Sequence, residues 1–401
     1  MTSTTQMQTV APHDLDETSR VLREGQSEQR TLLFSGAGTK AQWGGVVGRT
    51  DLRVSTENLN ALISHQPGDM TAAVGAGMTL QTLQTQLATQ GQWLALDPAT
   101  ERAGATIGGL LATGDAGPRR VRYGTLRDLA IGATIVLADG TTVHSGSHVI
   151  KNVAGYDLTK LFHGSLGSLG FIGEVILRLH PLPTSSVTVI ASATALQATA
   201  AAAALSRCGV EPAAVEWVDR AGTGVDPMLL VRVDGSSLGT AAGSTRVAKL
   251  LTDQGLRPHL LDRDAADDQW TQVADAAGGT AQDTVVRAGG LPDRSPQIIQ
   301  ALHALAHDHE VFAAVASSIG LGLHTVVLRG SARAQATVAG QWREKVESLG
   351  GVCSLRNRPQ EVSDQLASFG APPSGAELMR TVKHRLDPLD RCAPGRFRGC
   401  Y

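Results

Sequence analysis

Residues Thr100–Asp128 read TERAGATIGGLLATGDAGPRRVRYGTLRD. Six glycines fall here, beside a basic patch at Arg119, Arg120 and Arg122. A segment this rich in Gly and Thr is a poor former of helix and of strand core. Glycines instead let a backbone approach a large ligand closely and turn its N–H groups toward phosphate oxygens. The stretch is therefore expected to be a loop lying along the diphosphate of a dinucleotide cofactor. Thr106, Gly108, Gly109, Thr113, Gly114, Tyr123, Gly124 and Asp128 are its candidate contacts.

A second glycine turn stands upstream, where Gly36-Ala37-Gly38-Thr39-Lys40 follows the strand-like Thr31–Phe34. Gly36 to Ala41 also fits G-x-G-x-x-A, the Rossmann fingerprint, which requires a helix to begin inside the motif. Trp43, Gly44, Gly45 and Gly48 follow at once, and such glycine density disfavours that helix. A phosphate-cradling turn without the helix is the preferred reading. A third cluster, Gly164-Ser-Leu-Gly167-Ser-Leu-Gly170-Phe-Ile172-Gly173, adds Gly170 and Ile172 to the candidate contacts. Between these turns the chain alternates strand and helix signals. Thr79 caps a helix carrying Leu80, Leu83 and Leu87. Asp97-Pro98 makes a turn, with Pro98 a further candidate contact. Asp139-Gly140 joins Ile131–Val136 to Thr141–His144 as a hairpin.

This order of motifs, with Asn152-Val-Ala-Gly-Tyr156-Asp157 before the third cluster, resembles the vanillyl-alcohol oxidase/PCMH-type FAD-binding flavoproteins. Within that family it resembles the FAD-binding subunits of glycolate oxidase. The resemblance implies noncovalent FAD, because the glycine loops carry no His or Cys for a covalent link. It implies an α+β fold, a PCMH-type FAD-binding domain of two α+β subdomains over residues 13–183. A ferredoxin-like α+β cap domain then spans residues 184–375. The ending Leu386-Asp387-Pro388…Ala393-Pro394-Gly395-Arg396 is similar to the family's L-D-P…N-P-G-R, and residues 376–401 are expected to return to the cofactor domain. Ala393 stands where the family commonly has Asn, and Leu166 where it has Glu.

The pattern of the second half agrees with such a cap. Strand and helix signals run β-α-β-β-α-β from Ser186 to Leu261 and again from Thr284 to Leu355, two ferredoxin-like units. Glycine density marks the boundary, with 23 glycines between Gly36 and Gly173 but 21 in the longer stretch from Thr184 onward. Residues 1–12 are polar and expected to be a disordered tail.

Composition excludes several functions. Net charge is -2, which draws the chain to neither nucleic acid nor an anionic membrane, and aromatics are 3%. Cys208, Cys353, Cys392 and Cys400 show no metal or cluster spacing, so no metal site is expected. No signal region or spanning apolar run is visible, so the expected location is cytoplasmic, peripheral to the inner membrane only through partners.

Oxidising a 2-hydroxy acid needs a base, a cation for the carboxylate and a hydride acceptor. Gly320-Leu-Gly322-Leu-His324 echoes the histidine motif of the family's catalytic subunits, making His324 the candidate base. Arg396 and Arg287 are candidate carboxylate ligands. The expected role is the FAD-binding subunit of a glycolate oxidase complex, turning glycolate into glyoxylate. Its partners would be a paralogous flavoprotein subunit and an iron–sulfur subunit that receives the electrons. A self-sufficient 2-hydroxy-acid dehydrogenase and a flavin-fold structural subunit without redox role remain the alternatives.

Overall fold

The computed structural model describes residues 7–149, 156–220 and 223–398. Residues 152–155 of the Asn152–Asp157 motif and Cys400 lie outside them. The cofactor half begins with three parallel strands, β1 (Gln8–Val10), β2 (Leu32–Ser35) and β3 (Leu52–Ser55), in the order β1-β3-β2. The expectation of disorder through residue 12 is thereby corrected for residues 8–10. A polar segment gains ladder hydrogen bonds from β3, which composition alone does not reveal, and Val10 packs against the Leu32–Val54 cluster. Between β1 and β2, helix α1 (Leu15–Ser27) is capped by Asp14, whose side chain accepts from the Glu17 N–H.

A five-stranded antiparallel sheet follows, built from β4 (Leu62–Gln66), β5 (Thr71–Gly75), β7 (Ala130–Val136), β8 (Thr142–Gly146) and β9 (Phe171–Arg178) in the order β4-β5-β9-β7-β8. A short ribbon pairs β6 (Gln92–Trp93) with β10 (His180–Pro181). Helix α2 (Leu80–Ala88) starts at its Thr79 cap and buries Leu80, Leu83 and Leu87. The Asp139-Gly140 turn joins β7 to β8, pairing Val136 with Thr142.

The stretch from Thr100 to Asp128 is not one open loop. It contains three short helices, α3 (Ile107–Thr113), α4 (Arg120–Tyr123) and α5 (Leu126–Leu129). Thr106 caps α3 by accepting from the Gly109 N–H, and Ile107, Leu110 and Leu111 are buried on it. That apolar stripe and the cap outweigh the low helix propensity of the two glycines. One more short helix, α6 (Thr159–Phe162), precedes β9.

The cap half is one eight-stranded antiparallel sheet made of two four-stranded units. The first unit is β11 (Ser185–Ser192), α7 (Ala195–Leu205), β12 (Ala214–Arg220), β13 (Met228–Gly235), α8 (Ser237–Asp253) and β14 (His259–Leu261). The second is β15 (Thr284–Gly289), α10 (Ser295–Asp308), β16 (Phe312–Ser318), β17 (Leu323–Arg329), α11 (Ala332–Ser348) and β18 (Val352–Leu355). The sheet order is β14-β11-β13-β12-β16-β17-β15-β18, the units joining where Val218 pairs with Ala316. Helices α7, α8, α10 and α11 share one core with one face of this sheet, centred on Trp217 and Trp342. An additional helix that the strand–helix pattern did not reveal, α9 (Arg263–Gly278), lies against the other face through Val273 and Ala276.

After β18 come the short helix α12 (Gln360–Ser363) and α13 (Ala376–Leu386), and the chain then packs on the cofactor half. Lys383 Nζ donates to Asp387 and to the carbonyls of Ser168 and Cys392. Arg391 donates to the carbonyls of Arg30, Ala138 and Leu22. Each of these buried cations is held by carbonyl or carboxylate oxygens, as burial of charge requires.

Candidate active site

Two cavities meet at Trp43. The smaller, about 140 Å³, lies between the β2–β3 region and α3. It is lined by Gly36, Ala37, Gly38, Thr39, Thr106, Gly108, Gly109, Thr113, Gly170, Ile172 and Arg396, together with Lys40 and Arg53. The three glycine clusters, far apart in sequence, thus converge on one cleft.

Its chemistry suits a diphosphate. Among the described residues, no protein acceptor takes the N–H groups of Gly36 through Lys40, so five consecutive donors are available at the turn. Gly38 has φ of 75°, with open space where a side chain would stand. A Cβ on Gly36 would collide with the Thr106 Oγ1 that caps α3. Burial pulls the Lys40 amine down to about 8, opposed by Asp115 at 3.8 Å. A diphosphate nearby would raise it again, since a neighbouring anion favours the charged amine.

The backbone behind the turn is gripped from both sides. Arg396 Nη1 donates to the carbonyls of Ala41, Trp43 and Gly45, at 3.0, 2.8 and 3.3 Å. Arg358 donates to the carbonyls of Gln42 and Gly44, both at 2.8 Å. Five successive carbonyls are thus taken alternately by an arginine of the C-terminal segment and one of the cap. Arg396 is 8% exposed and spends its Nη1 protons on backbone carbonyls, which makes it a clamp on this segment. Burial lowers it to about 10.

The larger cavity, about 580 Å³, lies between the Asp97–Arg120 segment, α9 and the open face of the cap sheet. Alternation along the strands decides what faces it. Val215 and Trp217 of β12 join the helix-covered core, so Glu216 faces the cavity. By the same alternation Ser318 of β16, Thr325 of β17 and Arg287 of β15 face it too. Ala316, Thr325 and Arg287 form one cross-strand row. Arg287 Nη1 donates to Thr325 Oγ1 at 2.6 Å, whereas Nη2 is sequestered without a hydrogen-bond partner. Ser318 Oγ donates to Glu216 Oε2 at 2.8 Å. Burial pushes Glu216 up to about 7, against the Ser318 bond and the attraction of Arg287 and Arg120. Burial and the neighbouring Arg120 and Arg356 pull Arg287 well below the usual guanidinium range.

The opposite wall is also charged. Arg356 lies 3.8 Å over the Trp43 ring and 3.5 Å from Asp115, which accepts from Thr100. Arg119 bridges the halves, stacked on Trp93 at 4.2 Å and within 4 Å of Asp97 and Asp234. Asp97 is pushed up to about 6 by burial, Arg119 opposing. Pro98 lines this cavity.

His324 does not reach it. The residue before Thr325 on β17 necessarily faces the other side of the sheet, where His324 is fully buried and bonded to Ser317. Burial holds its imidazole down at about 3, so it stays neutral there. The reading of His324 as a base is corrected by that alternation. Four more sequence candidates line neither cavity. Asp128 closes the α5 capping box, Gly124 ends α4, Tyr123 packs edge-on against Trp93 and His180, and Gly114 ends α3 against His163. Sequence reasoning missed Glu216, Arg356 and Arg358. A charge flanked by the apolar Val215 and Trp217, as in AVEWVDR, was the available signal for Glu216.

With this geometry in view, the similarities are informative. Residues 7–146 match the family model of an FAD binding domain. The chain is 30% identical over 256 residues to glycolate oxidase subunit GlcD of Bacillus subtilis, covering 64% of this chain and 53% of that one. It is 34% identical over 163 residues to glycolate oxidase subunit GlcE of Escherichia coli, covering 41% and 46%. The chain thus spans about half the length of these two relatives. A probable mitochondrial D-lactate dehydrogenase of Danio rerio is 26% identical over 96% of this chain and 83% of its own length. Among solved structures, substrate-bound p-cresol methylhydroxylase superposes with a TM-score of 0.78 at 14% identity, over 98% of this chain and 88% of that one. That likeness establishes the shared α+β fold.

The match over residues 7–146 makes this a flavoprotein with an FAD-binding domain. The domain match and the named relatives support the p-cresol-methylhydroxylase-type FAD-binding family, and FAD is the cofactor.

Proposed function

We propose that the chain is an FAD-dependent oxidoreductase of 2-hydroxy acids and serves as an FAD-holding subunit of a glycolate oxidase complex. The observation that carries this is the larger cavity. It adjoins the glycine-lined cleft at Trp43 and presents the half-buried Arg287 and Arg356 along with the buried carboxyl group of Glu216. The turn at 36–40 and the Thr106–Thr113 segment would hold the cofactor's diphosphate. Bound flavin accepts the hydride and relays the electrons. The chain's own residues bind the acid's carboxylate, exclude water and take the proton. No His, Cys or Tyr lines either cavity among the described residues, which supports noncovalent FAD. The kinship with both GlcD and GlcE supports a complex with a paralogous flavoprotein subunit; an iron–sulfur subunit that receives the electrons is our proposed further partner. The protein works in the cytoplasm; no helix among the described residues is long and apolar enough to cross a membrane.

A second reading is favoured by the same cavity and by the D-lactate dehydrogenase match over nearly the whole chain. In it the chain turns over its substrate without partners. Anaerobic mixing of the purified FAD-loaded chain with glycolate or D-lactate separates the two. Fast bleaching of the flavin band by the chain alone favours the second reading; bleaching only in the assembled complex favours the first. No bleaching in either refutes both.

A further inference from the structure

Two polar atoms on side chains that line the larger cavity are left over by the protein. Arg287 is fixed through Nη1 by Thr325, which leaves Nη2 buried and unpartnered. Glu216, 5% exposed, is fixed through Oε2 by Ser318, and among the described residues no protein donor reaches Oε1. The two side chains attract each other, yet among the described residues no ion pair within 4 Å joins them. Between their strands the same sheet face carries the small Ala316 and Thr325. A cation and a carboxyl group held apart over a floor of small side chains make a gap with a donor at one end and an acceptor at the other.

We propose that a small hydroxy acid fills this gap, its carboxylate on Arg287 Nη2 and its hydroxyl on Glu216 Oε1, with Glu216 the residue that takes the hydroxyl proton. The inference rests on the reading of the chain as a 2-hydroxy-acid oxidoreductase and assigns that site its binding and proton-accepting residues. The step balances. The O–H bond breaks and its proton moves to Glu216; the C–H bond breaks and its hydride moves to the flavin, the oxidant. A C=O bond forms, so the acid loses two electrons and two hydrogens to become a 2-oxo acid.

The electrostatics give the assignment a signature. Glu216 is faced by Arg287 from β15, Arg120 from α4 and Asp97 from the segment before α3; Arg287 is faced in turn by Arg356 and Asp115. An anion on Arg287 cancels part of the cationic field that keeps Glu216 ionised, so anion binding draws a proton onto Glu216. A 2-hydroxy acid differs from a simple carboxylate, because its hydroxyl donates to Glu216 Oε1 and so holds that carboxylate ionised, ready to take the proton.

The test is calorimetric titration of the FAD-loaded protein with acetate, which has a carboxylate but no hydroxyl to oxidise. Repeating it in buffers of different ionisation enthalpy counts protons. At about pH 8, close to one proton is expected to enter per acetate bound, and affinity is expected to fall about tenfold per pH unit above neutrality. In Glu216→Gln the uptake vanishes and affinity becomes flat with pH. In Arg287→Met acetate binds at least about tenfold more weakly while FAD content is retained. With a 2-hydroxy acid, Glu216→Gln slows flavin reduction by about 10²–10⁴, the range of a lost general base. Acetate binding without proton uptake by the unaltered protein overturns the proposal, as does proton uptake that persists in Glu216→Gln. If Arg287→Met fails to fold, the Glu216→Gln titration still decides. Loss of the proton coupling with flavin reduction intact overturns the pair and leaves the substrate reading standing. Intact coupling with no 2-hydroxy acid reducing the flavin supports the anion gap and overturns the substrate reading.

Discussion

Replacing Arg396 by Met separates a clamp from a substrate ligand. Nη1 carries two protons shared among three carbonyls, of Ala41, Trp43 and Gly45. Two charge-assisted bonds of about 1.5–3 kcal/mol each give about 3–6 kcal/mol gross. Part is returned because a buried guanidinium no longer has to leave water, so a net loss of about 2–4 kcal/mol is expected. Met roughly fills the channel, which limits any cavity contribution. The freed segment directly follows the diphosphate turn. If half of the loss appears as disorder of that turn, FAD binds about tenfold weaker or somewhat more, since 1.4 kcal/mol is a factor of ten. The assay is FAD titration of the apo-protein by flavin fluorescence, with melting curves of apo and loaded forms. A variant that bound FAD and melted like the parent, yet reduced its flavin slowly with a raised KM, would refute the clamp and restore the carboxylate role.

Other outcomes follow from the same contacts. Gly36→Ala puts a Cβ into Thr106 Oγ1, so the purified variant should lose most of its flavin absorbance and about 1–3 kcal/mol of stability by denaturant titration. Lys383→Met leaves Asp387, 2% exposed, without its cation at 2.6 Å, at a cost of about 3–5 kcal/mol seen in the melting temperature. Lys40 supplies a pH term in the apo-protein. Its folded pKa of about 8 lies below the ordinary 10.5, so the unfolded chain binds more protons between those values. Stability from this group therefore rises as pH climbs from about 8 toward 10.5, and Lys40→Met flattens that rise in pH-dependent denaturant melts.

Much of the scaffold could be read from local signals. The Thr79 cap, the Asp139-Gly140 hairpin and the twofold strand–helix order are encoded within a few residues of where they act. The convergence of the Gly36, Thr106 and Gly170 segments was readable because each glycine cluster has the same chemical requirement. Helix α9 escaped because its apolar positions, Trp270, Val273 and Ala276, are sparse among acidic residues. The reactive face escaped for a different reason. Whether His324 or Thr325 faces the cofactor half depends on a one-residue parity, which β17 fixes only by packing Val326 and Leu328 on the helices. Arg358 was invisible because its partners, Gln42 and Gly44, lie more than three hundred residues away.

The alternating grip on residues 41–45 has a consequence for biogenesis. One guanidinium sits at position 358 and the other at 396, whereas the segment they steady is translated more than three hundred residues earlier. A nascent chain displays its glycine turn long before either fastening leaves the ribosome tunnel. Cofactor capture is therefore a late event, and any protein halted short of residue 396 should accumulate in cells without its yellow colour.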